Sequence, residues 1–136
     1  MADLLGAVPY LEVFDMTASV AFYRDCLGFE VLFASPEVET SEGRFSHFMR
    51  LRRGGVELML NTAYDSNERP PGRTDARWAG CQHVQFYIDC DDVLAFYAEA
   101  TARGLQAEPP ATTPYGYLGF WTADPDGHRL MVHQPR

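Results

Sequence analysis

Glu57, in the run VELMLN, and His83, in HVQFYID, occupy alternating positions of apolar segments, so each is expected to point from a strand toward one sheet face. A carboxylate and an imidazole brought together can act as a general acid or base. Two such groups alone define no reaction. A lone carboxylate on a covered face must be solvated, paired or protonated, because burying it unpaired is costly. A Glu57–His83 pair would satisfy both groups, while the plainer account makes His83 a hydrogen-bonded strand histidine.

The same alternation sets Val8, Tyr10, Glu12, Glu57, Met59, Asn61, His83, Gln85, Tyr87, Met131 and His133 on cleft-facing positions. Aromatic and thioether groups with a few polar ones are the usual lining of a small-molecule pocket. The competing reading is an ordinary closed core, and Glu12, Glu57 and Gln85 on that face count against a dry one. Other motifs are silent: GxSxG is absent, RRGGVE reads as a hairpin turn rather than a phosphate-cradling loop, and Arg50, Arg52 and Arg53 read as a solvated strand edge.

The elements that must position these groups occur twice. Val8 to Phe14 alternates as a strand and leads into DMTASVAFYRDCLGFE, where Val20, Phe22, Tyr23 and Leu27 recur at helical spacing. Asp15 or Thr17 can cap that helix and Gly28 can end it. His83 to Asp89, then DDVLAFYAEATARG ending at Gly104, repeats the pattern about 75 positions later, with AFY in both helices. Short strands follow each helix, at 29–34, 45–52 and 56–61 in the first copy and at 105–108, 117–123 and 128–134 in the second. Asp124-Pro125-Asp126-Gly127 presets a tight reversal between the last two.

This gives one α+β domain over 1–136, with two tandem βαβββ modules (6–62 and 80–136) forming a curved mixed sheet around a cleft. The linker, 63–79, is long and polar; it reads either as a flexible crossover or as a flap carrying Tyr64 or Trp78 to a ligand.

Composition narrows the function classes. A chain of 136 residues with 46% hydrophobic and 13% aromatic residues is sized for one globular domain, and no apolar run approaches the length a membrane helix needs. Neither a signal peptide nor a membrane partner is expected, and the location is read as cytoplasmic. The net charge of −8 with scattered basic residues argues against nucleic acid and favours neutral or cationic ligands. Cys26, Cys81 and Cys90 read as reduced thiols, and only Cys90, just before the second helix, has any sequence claim to reactivity.

The stretches VPYLEVFDMTASVAFYRDCLGFEVLF, VELMLN, HVQFYID and PYGYLGFWTADPDGHRLMVHQP resemble, in this order, the signature segments of the vicinal oxygen chelate superfamily, which includes glyoxalases, dioxygenases and bleomycin-resistance proteins. The resemblance covers essentially the whole chain and implies the fold more firmly than any activity. In metal-dependent members, ligands come from the first and last strands of each module. By that resemblance the four positions fall on Val8, Glu57, His83 and Met131, so Glu57 and His83 are vestigial candidates, and neither a metal nor another cofactor is expected. A displaced site using Glu57, His83 and either Glu12 or His133 is the alternative, and would make the protein a metal-dependent lyase, isomerase or dioxygenase. A non-catalytic interaction domain is the third reading.

The opening LLGAVPYLEVFD looks most like the bleomycin-resistance branch. That implies a homodimer binding a small molecule in a cleft without metal catalysis. The expected ligand-binding residues are Tyr10, Glu12, Glu57, Met59, His83, Gln85, Tyr87, Trp121 and Met131. Tyr10, Tyr87 and Trp121 would stack on a planar cationic ligand while Glu12 and Glu57 supply charge.

Overall fold

A computed structural model describes residues 2–134, without the side chains of Asp75 and Gln82. Pro135 and Arg136, at the end of the second repeat, lie outside the described residues. Contacts divide the chain into two units, Met1–Met16 with Phe29–Arg69, and Thr17–Gly28 with Pro70–Arg136.

The first unit holds a mixed sheet ordered β1-β6-β5-β2, from β1 (Tyr10–Val13), β2 (Glu30–Ala34), β5 (Phe48–Arg53) and β6 (Val56–Thr62). β1 runs parallel to β6 and the other pairs are antiparallel. A hairpin of β3 (Val38–Thr40) and β4 (Gly43–Phe45) stands apart from it. Strand alternation decides the faces: Leu11, Val13, Leu51, Leu58 and Leu60 are buried on one, and Tyr10, Glu12, Glu57, Met59 and Asn61 take the other. The expected strand 45–52 is broken at Ser46 and His47. The Ser46 hydroxyl donates to the Ser35 carbonyl at 2.6 Å, and the His47 ring bonds the hydroxyls of Thr62 and Ser66, so both side chains hold loops rather than continue a ladder.

The second unit repeats the topology as β7-β10-β9-β8, from β7 (Gln85–Asp89), β8 (Ala111–Thr112), β9 (Leu118–Ala123) and β10 (Arg129–His133), again with the first and last strands parallel. The strand expected at 105–108 is replaced by β8, because Pro109 and Pro110 cannot donate to a ladder and the Gln106 carbonyl accepts instead from the Thr122 hydroxyl at 3.1 Å. α3 (Val93–Ala102) is capped by the Asp92 carboxylate, which accepts from the Ala95 amide at 3.0 Å, and its Phe96 and Tyr97 lie on Phe120 of β9. The first helix begins as α1 (Met16–Val20) and widens into a π-helical run, Ala21–Cys26. Gly28 and Gly104 end the two helices at φ +77° and +101°, as expected of residues without Cβ.

Residues 63–79 carry local structure of their own. α2 (Asp75–Trp78) forms within them and runs into a 3-10 turn, Ala79–His83; Trp78 is buried, and Tyr64 packs edge-on against Phe14.

The β9–β10 turn carries a buried polar network. One Asp124 oxygen accepts from the amides of Asp126 (3.0 Å) and His128 (2.9 Å), and the other from the Tyr23 hydroxyl (2.8 Å) and His128 Nδ1 (2.7 Å). Burial, followed by the charge of Asp124 and its hydrogen bond, holds the Tyr23 phenol well above its ordinary range. A folded-state value above the unfolded one contributes stability that is complete below about pH 10 and lost as pH rises past it. Tyr23→Phe is therefore expected to cost about 1.5–3 kcal/mol at neutral pH and to flatten the alkaline decline, measured by urea unfolding at pH 8 and pH 10.5. An unchanged midpoint at pH 8 would contradict the account.

Candidate ligand-binding site

On the open face of the second sheet, register puts Tyr87, Met131 and Trp121 in one row and Asp89, His133 and Gly119 in the next. Opposite faces of the same strands send Phe86, Leu130 and Phe120 the other way. Gly119 is required here: a Cβ would come within 2.9 Å of Met131 Sδ, the Val132 carbonyl and His133 Cβ, so only glycine lets those side chains lie flat over β9.

The result is a pocket of about 320 Å³ with Met131, only 4% exposed, among the groups lining it. Tyr87 meets Trp121 edge-on at 5.7 Å and His133 at 5.5 Å, and Tyr117 meets His133 at 5.3 Å. A closed loop supplies the remaining wall. The Thr113 amide donates to the Tyr117 carbonyl, and the Gly116 amide to that of Thr113, which presents Tyr115 at 78% exposure beside Pro114. His133 Nε2 lies 3.0 Å from Asp89 Oδ1; with the proton on that nitrogen, Nδ1 keeps a lone pair that is buried and finds no partner among the described residues. Arg129 covers one face of Trp121 at 4.4 Å.

The structure thus joins Tyr87, Trp121 and Met131 of the expected set, with Gln85 on the same sheet face one row away. His83 is not on β7. It falls in the 3-10 turn before that strand, exposed, because helical pairing persists to its position. Tyr10, Glu12, Glu57 and Met59 share a face of the first unit's sheet. There Glu57 is not the open anion expected of it: Arg50 Nε holds it at 2.8 Å, and Arg52 lies opposite in register. Arg50 and Arg52 are correspondingly not on a strand edge, since β5 is interior.

His133 was expected on the cleft-facing side, whereas Thr113, Pro114, Tyr115 and Tyr117 were absent from the expected set. The crowding of tyrosines in PYGYLGFW was the signal for them.

The four family ligand positions do not fit a metal. Val8 has no donor, Glu57 is neutralised by Arg50, His83 is turned out of its strand, and Met131 offers a buried thioether to what would be a hard cation. Asp124, Asp126 and His128 lie close together, but Asp124 is bonded as described and Asp126 Oδ1 accepts from Arg73 Nε at 2.8 Å. These groups hold a turn.

The profile of the Glyoxalase/Bleomycin resistance protein/Dioxygenase superfamily matches residues 8–132. Among curated proteins no sequence matches significantly. The fold is similar to that of a bleomycin resistance determinant encoded on the transposon Tn5, at 23% identity and TM-score 0.69, covering 98% of this chain and 99% of that one. It is equally similar to the bleomycin-binding protein of Streptomyces verticillus complexed with copper(II)-bleomycin, at 23% identity and TM-score 0.70, covering the whole of both chains. An antibiotic-binding protein from Streptomyces sp. CB03234 shares 23% identity at TM-score 0.63, over 99% of this chain and 100% of its own.

Proposed function

The chain belongs to the glyoxalase, bleomycin resistance protein and dioxygenase superfamily, and from that premise we propose that it binds a planar aromatic small molecule in the pocket of its second sheet, without metal catalysis. One observation carries the reading. Tyr87, in the middle of a strand, remains 60% exposed, and with Trp121 and Tyr117 it surrounds a cavity that the protein's own side chains leave open. Edge-on rings leave faces free for a flat guest, and a buried Met131 adapts to irregular contours. A pocket of about 320 Å³ takes a fused two- or three-ring system rather than a whole glycopeptide.

Asp89 and the net charge of −8 favour a neutral or cationic guest, although Arg129 already serves Trp121 as a cation. The relatives that bind bleomycin or another antibiotic support the same class of role, sequestration of a drug-like molecule. The test is a thermal-shift screen of planar heteroaromatics with a chelator present. Stabilisation that survives chelation supports the reading; stabilisation that appears only with a divalent metal overturns it.

Assembly as a cytoplasmic homodimer completes the proposal. The support is the open sheet face of each unit and an N-terminal segment whose Leu4 and Leu5 are 93% and 99% exposed. Sedimentation velocity is expected to give twice the chain mass at micromolar concentration, and a concentration-independent monomer would remove this part.

A further inference from the structure

Away from the pocket, the buried turn of the second unit aligns three groups that no part of the binding role uses. Cys81, in the 3-10 turn Ala79–His83, places Sγ 3.4 Å from His128 Nε2, and His128 Nδ1 lies 2.7 Å from Asp124 Oδ2. The buried Asp124 carboxylate holds the imidazole proton on Nδ1, which leaves the Nε2 lone pair directed at the thiol. Cys81 is partly exposed and outside any disulfide, whereas Asp124 and His128 are buried. The sulfur can therefore be reached while its base is shielded. We propose that Cys81, His128 and Asp124 form a nucleophilic thiol site that captures small, soft, uncharged electrophiles such as α,β-unsaturated carbonyls.

The step balances without a further reactant. Nε2 takes the thiol proton, the thiolate forms a C–S bond at the β-carbon, the C=C electron pair moves to the enolate, and the imidazolium returns the proton to it. Surrounding charge selects the electrophile. Asp124 and Asp126 lie on the β9–β10 turn, Tyr23 donates to Asp124 from the first helix, and Arg73 is engaged with Asp126. An anionic electrophile meets the Asp124 and Asp126 carboxylates, the second of them paired with Arg73, so neutral reagents are favoured. The two remaining cysteines, Cys26 and Cys90, differ from Cys81 in setting. The Cys26 thiol is pushed up, by burial and then by Asp25, and its Sγ donates to the Arg103 carbonyl; Cys90 lies in the loop between β7 and α3.

The experiment alkylates the full-length protein with iodoacetamide and with iodoacetate from pH 5.5 to 9.5, reading Cys26, Cys81 and Cys90 separately by peptide mass spectrometry. A rate midpoint one unit below the ordinary thiol value of about 8.5 raises the thiolate fraction at pH 6.5 about ninefold. Lower intrinsic nucleophilicity returns about threefold of that. Cys81 is therefore expected to react at least about threefold faster than either other cysteine at pH 6.5, and faster with iodoacetamide than with iodoacetate by more than those cysteines show. His128→Gln is expected to restore an ordinary midpoint at Cys81. Because loss of a buried imidazole can loosen the turn, the native profile decides by itself: an ordinary midpoint at Cys81, or a rate there no greater than at Cys26 and Cys90, overturns the proposal.

Discussion

Asp124→Ala is expected to lower the melting temperature by about 10–20 °C, the largest stability effect of any single substitution in the turn. Its two oxygens accept four hydrogen bonds, from two backbone amides, a phenol and an imidazole, and the side chain is fully buried. Removing it strands all four donors away from water. Breaking a buried, charge-assisted network costs about 3–5 kcal/mol, and each kcal/mol shifts a domain of this size by about 3–5 °C. The effect should exceed that of Tyr23→Phe, which removes one donor and leaves the carboxylate with three. Calorimetry of the two variants side by side checks the order, and a smaller loss for Asp124→Ala would mean that the turn is held by its backbone alone.

Trp121→Ala is expected to weaken binding of a planar aromatic ligand at least about thirtyfold, equivalent to about 2 kcal/mol, while leaving the fold intact. Trp121 forms a wall of the pocket, contacts Tyr87 edge-on, and is only part-buried, so its removal opens the cavity without emptying the core on the other side of β9. Arg129 loses its aromatic partner in the same variant. Glu57→Gln is the contrasting control. With Arg50 as its partner on the first sheet, Glu57 should be worth little to binding, and isothermal titration of both variants separates the two expectations. Equal losses from both would move the site off the second sheet.

Period-two patterning explains what was legible in the sequence. A strand side chain has only two faces to choose between, so the parity of Tyr87 with Met131 and of Tyr10 with Glu12 was readable without any partner. The same holds for the repeat: two sheets with one strand order follow from two copies of one pattern. What the sequence hid depends on register or on loops. Arg50 meets Glu57 only because the β5–β6 hairpin sets Arg52 and Arg50 beside Glu57 and Met59. His83 looked like the first residue of a strand, yet a 3-10 turn runs through it, since local apolar alternation cannot distinguish a strand start from the end of a helical turn. Tyr115 belongs to no periodic element and enters the pocket through loop hydrogen bonds around Thr113. The pairing of Cys81 with His128 spans 47 positions, and no local pattern announces it.

The central claim, that the aromatic pocket of the second sheet takes a flat guest and needs no metal for it, is tested most directly by Trp121 fluorescence. The protein has two tryptophans, and Trp78 is buried at 7% exposure, so Trp78→Phe leaves Trp121 as the reporter. In that variant, a heteroaromatic ligand selected by thermal shift is expected to quench emission saturably in the presence of chelator, with the same dissociation constant that calorimetry gives for the native protein. Binding that leaves Trp121 emission unchanged, or that disappears with chelator and returns with a divalent ion, would contradict the account.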